Sequence, residues 1–158
     1  MNIFQKHSIK KQIMENTATA NDTFTRINHY LAPANNIIWC TKLNLDKNSD
    51  DLNNFNLFKK NVFFILSEIH SLESLHEINM KLCLDYPKLE EFSKHYFISR
   101  LHSLIAIVNG NIEEVKNLEN YKTDRELQQL AKTLKLIATR INETLEHIKK
   151  TELEEHID

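Results

Sequence analysis

The sequence predicts an all-α fold: a helical bundle of about five to seven helices, two or three of them long and roughly antiparallel. Three observations predict it. The chain of 158 residues holds one glycine, Gly110, and two prolines, Pro33 and Pro87, too few for the turns of an all-β or α/β protein. Between Asp51 and Asp85 the apolar residues recur at three-and-four spacing, the pattern of a helix with one apolar face. From Leu127 onward they recur every seven residues, which favours packing against nearly antiparallel neighbours. A chain of this length buries roughly 68–70% of the surface its unfolded form exposes, so a single domain over residues 1–158 needs no metal or disulfide.

The elements follow in order. Residues 1–20 are weakly periodic and predict an arm or short helix. "NDTFTRINHYLAP" predicts a short helix capped by Asn21 or Asp22, with Phe24, Ile27, Tyr30 and Leu31 on one side. Pro33 then suits the first turn of another helix through "ANNIIWCTKL", although its β-branched residues also fit a strand. These short elements make residues 1–45 an N-terminal region, and residues 51–158 form the long-helix bundle. "NLDKNSDD" reads as a polar connector.

Leu52, Phe55, Phe58, Val62, Ile65, Leu66, Ile69, Leu72 and Met80 share one face of the next helix. "SLHE" (Ser74 to Glu77) matches a capping box, which predicts a break or kink near residue 72. Tyr86-Pro87 separates this helix from another over about residues 87–109, which Gly110 is expected to end. "NIEEVKNLENY" predicts a short helix, and "TDRE" (Thr123 to Glu126) a capping box for the last one. In that helix Leu127, Leu134, Ile141 and Ile148 take one core position, and Leu130, Ile137, Thr144 and Thr151 the other.

Composition excludes several functions. One glycine cannot build a P-loop or a dinucleotide fingerprint, and no cofactor is expected. Residues 1–60 carry 8 basic and 5 acidic side chains, residues 61–158 carry 12 and 17. Neither part has the positive excess that phosphate backbones attract, so nucleic acid is disfavoured as a partner. A helix-turn-helix over residues 22–45 has only Arg26 and Lys42 to offer DNA. The start, "MNIFQKHSIKKQIMENT", lacks the apolar core of a signal peptide, and no apolar run reaches the ~18 residues of a spanning helix. No membrane partner and a cytoplasmic location are expected. Cys40 and Cys83 sit among apolar residues and predict buried thiols of raised pKa, with a single disulfide as the alternative.

Three groups of residues carry possible function. "RINETLEH" places Arg140 and His147 with six residues between them, and so resembles the Arg-to-His motif of HEPN ribonucleases. The resemblance spans eight residues and implies metal-independent RNA cleavage in a cleft shared by paired protomers. The chain departs from the pattern at Ile141, where the family has a polar residue. On a helical projection Arg140 and His147 lie roughly 120–140° from Leu134, together with Leu136, Glu143 and Lys150. The expected reading is therefore a solvated bundle flank, with the ribonuclease as the alternative.

Glu73-Ser-Leu-His76 matches the Glu-x-x-His unit of di-iron bundles, but a second unit is missing. No metal is expected, and Glu73 and His76 stand as the only candidate ligands. The third group is a second apolar stripe on the 51–85 helix: Leu57, Phe64, Leu75, Ile78 and Leu82, about 140–160° from Val62. Such a helix is either central in its domain or covered by a partner. Residues 1–45, with Trp39, are the material expected to cover it. What they leave open predicts a surface for another protein, possibly a basic one, in an adaptor, inhibitor or toxin-neutralising role; a homodimer also satisfies the pattern.

Overall fold

The structure is a computed structural model that describes residues 2–45 and 49–155. Four helices account for the fold: α1 (Ile3–Lys42), α2 (Ser49–Leu82), α3 (Pro87–Lys116) and α4 (Arg125–Glu155). The helical bundle is as expected, but the count of five to seven is not. Helices expected to be separate are fused.

The helix expected within residues 1–20, the segment after Asn21 and the segment after Pro33 are one 40-residue helix that begins at Ile3. Asn2 caps it in a capping box: its side chain accepts from the Gln5 amide, and the Gln5 side chain accepts from the Asn2 amide. Four of its threonines (Thr17, Thr19, Thr23 and Thr25) donate to the carbonyl four residues back, and Thr41 does so near the end. Their hydroxyls are thereby satisfied within the helix, which is how β-branched and hydroxyl-bearing residues are held in helical form here. Pro33 lies inside the helix rather than at its first turn. A proline there costs about 3 kcal/mol or more. Burial of Leu31, Ala34, Ile37 and Ile38 on either side offsets it, since each full side chain contributes roughly 1.5–3 kcal/mol for the larger residues.

Two further expected boundaries are absent for the same reason. Ser74 does not cap a new helix; its hydroxyl donates to the His70 carbonyl, and α2 runs unbroken for 34 residues, about 50 Å. Buried Leu72, His76, Asn79 and Met80 carry its packing straight through. Gly110 does not end α3. It faces open space, and Asn111, Ile112 and Val115 are buried beyond it, so core contacts extend the helix to Lys116. The last helix does start at the TDRE segment, but Asp124 caps it instead of Thr123. Its Oδ1 accepts from the amides of Glu126 (3.0 Å) and Leu127 (3.4 Å). The side chain of Leu52, expected on the core face of α2, and residues 46–48 in the middle of the NLDKNSDD connector lie outside what the structure describes.

One continuous core joins all four helices, with Phe24, Phe58, Phe97, Leu130 and Ile141 among its members. Consecutive helices are antiparallel, and two parallel pairs complete the packing. Glu73 and Glu77 of α2 meet Arg140 and His147 of α4 in rising order. Lys6 and Asn21 of α1 meet Tyr86, which precedes α3, and Arg100 of α3 in the same sense. The α1–α2 pair is closed by the Arg26 guanidinium, which donates to both Glu68 carboxylate oxygens at 3.2 and 3.1 Å.

A polar layer crosses this core. Asn16 Nδ2 donates to Asn79 Oδ1 at 2.6 Å, and Asn79 Nδ2 donates to Ser93 Oγ at 2.9 Å. The chain thus ties α1, α2 and α3 at one level, where a one-residue slip would leave buried amides unpaired.

Candidate functional site

The polar residues singled out in the sequence converge on the seam between α2 and α4. Three residues of α4 face α2 along one flank, at intervals of four and three: Arg140, Thr144 and His147. Glu73 of α2 receives two of them. Arg140 Nη2 donates to Glu73 Oε2 at 3.1 Å, and the Thr144 hydroxyl donates to Glu73 Oε1 at 2.8 Å. One turn further on, His147 Nε2 lies 3.1 Å from Glu77 Oε1. Glu143 and His70 stand at the edge, each 3.7 Å from the Arg140–Glu73 pair.

The flank expected to be simply solvated is therefore an inter-helix contact. Arg140 keeps 31% side-chain exposure and Glu73 only 14%, so this pair is screened less than a surface one. His147 and Glu77 are about half exposed. Thr144, placed by the heptad in the core, is fully buried, and its hydroxyl lies between Glu73 Oε1 at 2.8 Å and the Arg140 carbonyl at 2.9 Å. The sequence carried the signal for the flank but not for what it faces, because the parallel α2–α4 pairing cannot be read from helix spacing.

His76 lies one turn from this seam but points elsewhere. It is fully buried, its ring meets Phe97 of α3 edge-on at 5.5 Å, and neither ring nitrogen has a hydrogen-bond partner. Burial pushes its pKa down to about 4, with the positive ends of His147 and Lys94 adding to the effect. Glu73 and His76 therefore do not share a cavity: one carboxylate serves α4, one imidazole serves the apolar core. Among the described residues no three His, Cys, Asp or Glu side chains gather as metal ligands.

As chemistry, the seam is arranged for pairing. A phosphodiester approaching Arg140 meets Glu73 and Glu143, and one approaching His147 meets Glu77, so repulsion opposes the anion. Cys83 is a free, buried thiol with its pKa pushed up to about 11 by burial, and Cys40 is half-buried. An elevated pKa keeps the first from acting as a thiolate.

The apolar stripe of α2 is only partly covered. Tyr30 of α1, not Trp39, stacks on Phe64, with ring centroids 5.6 Å apart. Tyr30 and Trp39 project to opposite sides of α1, about 180° apart. Trp39 remains 59% exposed beneath the Lys42 ammonium. Leu75 packs against the core and Leu82 is half-buried, while Leu57, Phe64 and Ile78 stay about half exposed. Phe63, edge-on to Phe64, is 74% exposed, and the stripe did not include it.

No helix among the described residues is long and apolar enough to cross a membrane. Comparison of the chain with family models, with curated proteins and with solved structures gives no match.

Proposed function

We propose that the protein is a non-enzymatic interaction module that acts by occupying the surface of another protein, as an adaptor, inhibitor or toxin-neutralising factor does. The supporting observation is the outer side of α2. Leu57, Phe63, Phe64 and Ile78 present large apolar surface on a helix whose opposite side is fully packed. Aromatic anchors of this kind, rimmed by polar residues, are what a helix face offers to a partner groove. The excess of acidic residues over positions 61–158 suits a partner with a basic patch, through faster encounter more than through affinity.

The test is affinity capture from source cells with the whole chain, beside Leu57→Asp and Phe64→Asp variants checked for helicity. One stoichiometric partner that binds the parent at least ~10-fold more tightly than either variant is the expected result, since an anchor lost from an interface costs about 2 kcal/mol or more. Equal capture by parent and variants contradicts the proposed surface. Metal-free RNA cleavage that disappears in both Arg140→Ala and His147→Ala contradicts the non-enzymatic reading itself.

A further inference from the structure

The first three turns of α1 have no part in the α2 surface, and they form a second one. Asn16 meets Asn79 only three residues before α2 ends, so α1 continues about 15 Å past the end of α2. Ile13 is the first buried residue of α1, and before it only Ile9 is even half-buried. Ile3 and Phe4 are 82% and 84% exposed, and Met14 is also exposed. The first fourteen residues hold Lys6, Lys10 and Lys11 and no carboxylate. None of these lysines, nor His7, has a carboxylate within ion-pair distance among the described residues, in a chain whose net charge is −2. Ile3, His7, Lys10 and Met14 fall within about 60° of one another on the outward side of the helix. Lys11 and Phe4 flank them, and Glu15 closes the far end. Lys6 reaches instead over the Tyr86 ring, which brings the arm beside the α2–α3 turn, where Leu84 and Phe92 are exposed as well.

We propose that this arm is a peripheral docking surface for an anionic lipid bilayer, independent of the partner surface on α2. Exposed Ile, Phe and Met side chains among unpaired lysines on one helix face are the combination that an interfacial helix uses. Its apolar groups enter the headgroup region and its cations meet acidic lipid. Nothing spans the bilayer. Lys10 and Lys11, with Lys6 beside them at the Tyr86 ring, support reversible attachment that salt weakens.

The experiment is sedimentation of the whole chain with vesicles of phosphatidylserine and phosphatidylcholine in equal parts, and with vesicles of phosphatidylcholine alone. At low salt the protein is expected to bind the acidic vesicles at least ~10-fold more tightly. Lys10→Glu with Lys11→Glu is expected to abolish that preference, and Ile3→Ser with Phe4→Ser to weaken binding by ~10-fold or more. All four positions are exposed, so the variants fold as the parent does, which circular dichroism checks. The proposal is overturned by no binding to acidic vesicles, by equal binding to neutral ones, or by binding that ignores these substitutions. Retention on heparin through the same lysines without vesicle binding also overturns it, and marks the arm as a site for a polyanionic macromolecule.

Discussion

Acidification from pH 7 to pH 4 is expected to remove about 3 kcal/mol of stability through His76 alone. Its folded pKa of about 4 lies below the ordinary 6.5. The unfolded chain therefore binds the proton more readily than the bundle does. The neutral ring's contribution is fully present above pH 6.5, and it is lost as pH falls from there toward 4. The structural cause is burial without a partner: neither ring nitrogen has a hydrogen bond, the ring edge lies against Phe97, and positive charge at His147 and Lys94 adds to the effect. His76→Leu removes this pH dependence. It is also expected to stabilise the protein at pH 7 by about 1–2 kcal/mol, because two unmet polar atoms leave an apolar site of similar volume. Urea unfolding of both proteins at pH 7 and pH 4 checks both statements. Parallel loss of stability in parent and variant would show that the acid response lies elsewhere.

Phe97→Ala is expected to be the most damaging single change, at about 3–5 kcal/mol. Phe97 is fully buried, near the level where the Asn16–Asn79–Ser93 chain crosses the core. The cavity opens against the His76 ring and is large enough to admit water to its nitrogens. The His76 titration followed by NMR is therefore expected to move upward from about 4 toward 6.5 in the variant. Phe97→Leu, which keeps most of the volume, is expected to lose less stability and to leave the titration low. An unchanged titration in Phe97→Ala would mean that Phe97 is not what isolates the ring.

What was legible in the sequence was whatever depends on a residue's own helix. Heptad spacing placed Leu127, Leu130, Leu134, Ile137, Ile141 and Ile148 in the core, and the structure buries all six. Local boundary signals misled where long-range burial outweighed them. Pro33, the Ser74–Glu77 box and Gly110 each mark a plausible end, and at each the next turn carries core residues that hold the helix together. The Asn2–Gln5 capping box stands in the sequence, but the residues after it have no clean periodicity to mark a helix there. Contacts between helices were not legible at all. Projection put Arg140 and His147 on a flank, but only the parallel packing of α2 on α4 supplies Glu73 and Glu77 to meet them. Trp39 was expected among the residues covering the α2 stripe, but the rotation of α1 against α2 brings Tyr30 onto Phe64 instead.

The polar side chains between α2 and α4 pair those two helices and stabilise their contact beside the apolar core. A double-mutant cycle on Glu73→Ala and Arg140→Ala, read by urea unfolding at pH 7, tests it most directly. A partly buried, charge-assisted hydrogen bond at 3.1 Å predicts a coupling of about 1–2 kcal/mol, with each single variant less stable than the parent. Strictly additive effects, with both single variants as stable as the parent, would contradict it.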